Sequence, residues 1–182
     1  MLQEVEMKGV YRASDRSFTP WKNGGGQTAE ILALPKGAAL DGFDIRLSTA
    51  VVASDGPFSS FTGINRVLTV LEGGPMLLTI EGRELELTDA SAPFAFSGAL
   101  PCAARLAGPQ VLDFNVMTRA PLRAEVTRGP LAPVTGSPQA AYALLLAPQA
   151  GLERLDLVDL LEADPALLVA LQGASALRVI CG

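Results

Sequence analysis

Arg66-Val67-Leu68-Thr69-Val70-Leu71-Glu72-Gly73-Gly74-Pro75-Met76-Leu77-Leu78-Thr79-Ile80-Glu81-Gly82-Arg83-Glu84-Leu85-Glu86-Leu87 is an apolar run broken twice by turn chemistry. Gly73-Gly74-Pro75 ends the first piece and Glu81-Gly82-Arg83 the second. The stretch therefore predicts three consecutive antiparallel strands over residues 67–71, 76–80 and 84–87. Toward the N-terminus, residues 28–34 and 43–52 read as strands closed by Pro35-Lys36-Gly37 and Ser54-Asp55-Gly56-Pro57. Toward the C-terminus, residues 94–96 and 111–117 follow, and Arg119-Ala120-Pro121 marks a seam. Short strands with tight turns suit a closed or double-sheet β architecture, which hides its edges better than an open sheet.

Beyond the seam the pieces shorten, with strands expected at 125–127, 142–146, 167–171 and 177–180. Leu155-Asp156-Leu157-Val158-Asp159-Leu160-Leu161 fits a strand or a helical turn equally. Residues 1–120 are thus expected to form the larger unit and 121–182 a smaller half packed against it.

Composition narrows the chemistry. The 182 residues, 49% hydrophobic and 18% charged, are enough for one compact core or two small fused halves. No apolar stretch reaches the ~20 residues that a spanning helix needs. Residues 1–12 carry no basic head followed by an apolar run, so a soluble cytoplasmic protein is expected. A net charge of −5 without a Lys/Arg run argues against nucleic acid and anionic membranes as partners. The two cysteines, Cys102 and Cys181, are isolated and read as buried free thiols.

The chain contains no histidine. That removes histidine-based nucleophile systems and every histidine-ligated zinc, iron or copper site, and no Asp cluster suggests magnesium or calcium. No metal and no cofactor is expected.

Trp21-Lys22-Asn23-Gly24-Gly25-Gly26-Gln27-Thr28-Ala29-Glu30-Ile31 invites comparison with phosphate-cradling loops. The comparison fails, because no Lys-Ser/Thr follows the last glycine and a strand-like segment stands where a helix should begin. The glycines are either a flexible turn or a backbone that lets a ligand approach beside Lys22 and Asn23. Thr28 and Glu30, Arg46 and Ser48, and Asp113 and Asn115 are polar pairs at strand spacing, each alternating with apolar residues. They face either solvent or a polar barrel interior. In the second case Arg46 and Arg66 are the anion anchors, since a guanidinium fork grips a carboxylate through two bonds.

Together with Asp55-Gly56-Pro57-Phe58-Ser59, with Phe61, Gly63 and Arg66, and with Gly108-Pro109 leading to Asp113-Phe114-Asn115-Val116-Met117, these segments make the chain from Trp21 to Met117 resemble the HutD/Ves family. The resemblance implies an all-β cupin fold (jelly-roll, double-stranded β-helix) with two barrel halves in one chain, the second abbreviated. It also implies a role in bacterial histidine utilisation, with a small acidic intermediate such as formylglutamate as ligand. The motif residues that carry over are Lys22, Asn23, Thr28, Glu30, Arg46, Ser48, Asp55, Phe58, Arg66, Asp113 and Asn115, all but Asp55 as ligand-binding candidates. Two departures stand out. Thr62-Gly63-Ile64-Asn65-Arg66 replaces the usual Pro-Gly-x-Asp-Arg, and Phe96-Ser97-Gly98-Ala99 replaces Phe-x-Gly-Asp. Two carboxylates are lost and the anion-gripping residues kept, so a binding protein, regulator or buffer, is expected ahead of an enzyme. The alternatives are a metal-independent enzyme using Glu30 or Asp113 as base with Lys22, or a non-catalytic scaffold. A homodimer stays open as the assembly.

Overall fold

The structure is a computed structural model that describes residues 7–182. The expectation about residues 1–12 lies partly outside the described residues. Two compact units emerge, Ser17–Ala124 on the one hand and residues 7–16 with Glu125–Gly182 on the other. The segment before Ser17, expected with the larger unit, therefore groups with the C-terminal one.

In chain order the strands among the described residues are β1 (Val10–Tyr11), β2 (Thr19–Pro20), β3 (Gly26–Leu34), β4 (Ile45–Val52), β5 (Gly56–Pro57), β6 (Ile64–Gly73), β7 (Met76–Ile80), β8 (Arg83–Leu87), β9 (Phe94–Ser97), β10 (Cys102–Leu106), β11 (Val111–Arg119), β12 (Ala124–Pro130), β13 (Ala140–Leu145), β14 (Leu157–Asp159) and β15 (Ser175–Cys181), with one short α-helix, α1 (Pro165–Ala170), and a 3-10 turn at Ala13–Asp15.

The larger unit pairs a six-stranded sheet, β2-β3-β4-β11-β6-β9, with a four-stranded one, β5-β10-β7-β8. Leu68 and Val70 from the first sheet meet Met76, Leu78, Leu87, Cys102 and Ala104 from the second in one buried cluster. Interdigitation of two inner faces is how a double-sheet architecture makes its core. The β7–β8 hairpin forms as expected, with Ile80 opposite Arg83 and positive φ at both Glu81 and Gly82. The other expected pairing does not form, since β6 bonds to β11 and β9 and not to β7. Gly73-Gly74-Pro75 carries the chain from one sheet to the other. Gly73 has a φ of 77°, and a Cβ there would lie 2.1 Å from the Gln110 carbonyl oxygen, so only glycine fits this crossing.

The other unit is a five-stranded sheet, β1-β14-β13-β15-β12, over a core that includes Leu131, Ala143, Leu145, Val158, Leu167 and Leu171. Here two sequence expectations change. Residues 167–171 are not a strand: Asp164 caps a helix by accepting from the Ala166 N–H at 2.7 Å, and Pro165 starts it, a strong N-terminal signal. Of residues 155–161, which fitted either period, 157–159 become strand β14, paired with β1 and β13. Asp156, 1% exposed, accepts from Arg12 and from the backbone N–H groups of Ala13 and Glu153, while Arg16 donates to the Leu155 carbonyl. These bonds hold the segment before Ser17 in place. Among the described residues no helix is long and apolar enough to cross a membrane.

Candidate functional site

Antiparallel register assembles the site row by row. Alternate residues of a strand share a face, and partners on neighbouring strands lie side by side. Across β3, β4, β11 and β6, one row reads Thr28, Ala50, Asp113, Val70, and the next Glu30, Ser48, Asn115, Leu68. In the third, Arg46 and Arg66 flank Met117, and Phe96 on β9 follows Arg66. At about 4.8 Å per strand, the backbones that carry the two arginines stand roughly 10 Å apart. Extra residues interrupt the ladders between Glu30 and Leu32 on β3 and opposite Leu112/Asp113 on β6, and such bulges re-aim the side chains beside them.

These rows floor a cavity of about 440 Å³, within the range of small-molecule sites. Of the ten candidate ligand-binding residues, Lys22, Asn23, Thr28, Arg46, Ser48, Phe58, Arg66, Asp113 and Asn115 all line it. Glu30 does not. Its exposed carboxylate instead accepts from Arg46 Nε at 2.8 Å, outside the lining. Asp55 also lies elsewhere, its Oδ1 accepting from the Leu106 N–H at 2.8 Å at the end of β10.

Arg66 is the most constrained group. It is 5% exposed, and its guanidinium carbon lies 5.8, 5.6 and 5.2 Å from the ring centroids of Phe58, Phe61 and Phe96. Such contacts orient a cation without neutralising it. Nε and Nη2 both donate to Asn115 Oδ1 at 3.3 Å, and Nη1 donates to the Ser59 carbonyl at 3.3 Å. Every one of these acceptors is neutral, and no carboxylate among the described residues comes within 4.0 Å of it. Burial pulls its pKa below the ordinary arginine value and Asp113 works against that, but a guanidinium still keeps its charge at neutral pH.

Asp113 is 1% exposed and its Oδ1 has no hydrogen-bond partner. Burial pushes its carboxyl up to about 7, against the opposing pull of Arg66 and of a hydrogen bond with Asn115. The cavity thus presents Lys22, Arg46 and Arg66 against one carboxyl whose charged form burial disfavours, a balance that favours an anion. Among the described residues no group of three or more Cys, Asp or Glu is placed to hold a metal ion.

The glycine-rich turn has a packing reason. Trp21 N–H donates to the Gly26 carbonyl at 2.9 Å, and Trp21 Nε1 donates to Thr28 Oγ1 at 2.7 Å. A Cβ on Gly26 would lie 2.4 Å from the Val51 carbonyl oxygen and 3.0 Å from the Trp21 ring. The turn therefore lays Trp21 over the cavity lip, edge-on to Phe58 with centroids 6.3 Å apart. Trp21, Ser59, Phe61 and Met117 line the cavity although sequence reasoning did not select them. Aromatic and aliphatic residues carry no mark that separates a cavity wall from a core. The signal that could have found Trp21 is its position directly before Lys22 and Asn23.

The HutD family model matches residues 13–178. A Pseudomonas putida protein, described as an uncharacterised 21.2 kDa protein in the hutC 3′ region, is 42% identical over 108 residues, which is 59% of this chain and 56% of that protein's length. HutD from Pseudomonas fluorescens SBW25, solved in a formate condition, is 32% identical with a TM-score of 0.73, covering 96% of this chain and 95% of that one. PA5104 from Pseudomonas aeruginosa PAO1, a conserved protein of unknown function, is 31% identical with a TM-score of 0.74 over 96% of both chains. The antiparallel, nearly all-β architecture is shared with both of these solved structures.

Proposed function

We propose, from the premise that this chain belongs to the HutD family, that its cavity binds a small carboxylate metabolite, formylglutamate or a close chemical relative, and that the protein serves as a cytoplasmic regulator or buffer in histidine utilisation. Buried Arg66 carries the reading. Its guanidinium is aimed into the cavity, sandwiched by aromatic rings and bonded only to neutral acceptors, so a carboxylate is the partner it lacks.

Four further observations support it. Arg46 stands two strands from Arg66, a separation that suits a molecule with two carboxylates. The related HutD was solved in a formate condition, and the Pseudomonas putida relative is described by its place in the hutC 3′ region. A net charge of −5 speaks against nucleic acid or an anionic membrane as the partner.

The test is calorimetric titration of formylglutamate, glutamate, urocanate and formate into the parent, Arg66→Ala and Arg66→Lys proteins. Arg66→Ala is expected to weaken binding by ~2–5 kcal/mol and Arg66→Lys to recover part of it, because an ammonium lacks the planar fork. Failure of all four compounds to bind the folded parent at millimolar concentration would remove the reading. Unchanged affinity in Arg66→Ala would move the site elsewhere.

One observation favours a catalytic alternative: Asp113, a cavity-lining residue with a buried, unpartnered oxygen and a carboxyl raised to about 7, has the character of a general acid or base. Incubating each compound with the protein and following it by proton NMR separates the two, since binding alone leaves the spectrum of the recovered compound unchanged.

A further inference from the structure

Asp113 is the cavity group that a plain anion site does not explain. It stands on β11 between Ala50 and Val70, 1% exposed, with Oδ1 unpartnered. A buried carboxylate is ordinarily drawn into an ion pair. No cation facing this space takes that role: Arg46 bonds Glu30, Arg66 bonds Asn115 and the Ser59 carbonyl, and Lys22 is exposed. Without an ion-pair partner in a desolvated site, and with burial outweighing the pull of Arg66 and the hydrogen bond with Asn115, the carboxyl favours its protonated form, which has an O–H to donate. Guanidinium N–H groups and a carboxylic O–H together make a site of donors, matched to an anion that offers only acceptors.

We propose that the cavity binds its anion together with one proton, held on Asp113, whose O–H donates to the bound anion. The proposal rests on the reading of the cavity as a carboxylate site and adds a second recognition group and a dependence on pH. No covalent bond changes. The proton comes from solvent, adds to Asp113 Oδ1 or Oδ2, and returns to solvent when the anion leaves.

The other titratable groups lining this space are Arg66 on β6, Arg46 on β4 and Lys22 in the β2–β3 turn; Glu30 on β3 lies outside it, bonded to Arg46, and Cys102 on β10 lies in the core close enough to act on the charge of Arg66. Burial lifts the Cys102 thiol above its ordinary value, which keeps it protonated, and lifts the Asp113 carboxyl to about 7. Asp113 therefore carries the proton change around neutrality. Below that pH the free protein already holds the proton and affinity is level. Above it the proton must be recovered on binding, and affinity falls about tenfold per pH unit. An Asp113 that instead gripped an ammonium group of the ligand would act as an anion, and affinity would rise with pH.

The test is calorimetry of formate, glutarate and N-formylglutamate with the full chain, from about pH 5.5 to 8.5 in two buffers of different ionisation heat, for the parent and Asp113→Asn. The expected result is uptake of close to one proton per anion at the alkaline end, almost none at the acid end, and an affinity loss of about tenfold over the last pH unit. Both features should vanish in Asp113→Asn. Anion binding without proton uptake in the parent, a slope that persists in the variant, affinity that rises with pH, or no anion binding at any pH would each overturn the proposal. The parent measurement stands by itself should the variant fold poorly. Formate or glutarate bound with proton uptake while N-formylglutamate is rejected would sustain the proposal and defeat formylglutamate as the ligand. N-formylglutamate bound without uptake would do the reverse.

Discussion

Replacing Asp113 with Asn is expected to stabilise the ligand-free protein at pH 8, and the size of the gain follows from the burial of that carboxyl. In an unfolded chain it titrates near its ordinary value of 3.8, whereas in the folded protein it is held at about 7. Between those values the folded chain keeps a proton that the unfolded chain has released, so stability falls as pH rises from about 4 to about 7 and then levels off. The full difference is on the order of 4 kcal/mol, a large fraction of the stability of an ordinary domain. Asn has nearly the same shape and nothing to ionise, so its curve lacks this component. Urea unfolding at several pH values between about 4.5 and 8 measures it, with Trp21, the one tryptophan of the chain, as the fluorescent probe. Subtracting the variant's curve from the parent's removes the other carboxylates, Asp159 among them, whose pKa burial also raises. Parallel curves, or a variant less stable than the parent at pH 8, would refute the argument that Asp113 is buried without an adequate counter-charge.

Other outcomes follow from single contacts. Glu30→Gln releases Arg46 from its ion pair and is expected to raise formate affinity by a few-fold, more at low salt. The gain is small because Glu30 is half exposed and such pairs are worth under ~1 kcal/mol; no change by titration would show that Arg46 does not meet the anion. Gly26→Ala places a methyl against the Val51 carbonyl and the Trp21 ring, which should cost at least ~1–3 kcal/mol and shift the Trp21 emission. An unshifted spectrum with an unchanged thermal midpoint would contradict the packing account of the turn. Cys102 and Cys181 are buried and unpaired, so the thermal midpoint is expected to be the same with and without reductant. A midpoint that depends on redox conditions would mean that one of them reaches a partner.

Much of the fold was readable because period-two alternation and turn residues are local signals. The polar pairs at 28/30, 46/48 and 113/115 identified three strands that do lie side by side. What local pattern cannot carry is the choice of partner. Gly73-Gly74-Pro75 looks like a hairpin turn, yet it changes sheets, and β6 lies between β11 and β9 instead of beside β7. Strand β10 escaped notice because Cys102-Ala103-Ala104-Arg105-Leu106 holds no β-branched or aromatic residue, and its place between β5 and β7 makes it a strand. Residues 167–171 looked like a strand because five apolar residues fit either period, while the deciding signal lay outside them, in Asp164-Pro165. At the site, residue types pointed to Arg46, Arg66, Asp113 and Asn115. The outward turn of Glu30 depends on a single extra residue in the ladder, which no side-chain pattern announces. Phe58, Phe61 and Phe96 meet at Arg66 from separate parts of the chain, so their joint hold on it is visible only in three dimensions.

The floor of the cavity is written on alternate positions of strands whose backbones are already bonded to one another, and this has an evolutionary consequence. A substitution at Ser48 or Ala50 changes what the cavity presents without asking the main chain to move, since the ladder is held by N–H and C=O groups common to all residues. Chemical preference and foldability are then nearly separate traits, inherited on opposite parts of each residue. A framework of this kind lets the chemistry of the cavity change by single substitutions while the ladder stays as it is, with Arg66 and its three rings brought together from separate parts of the chain.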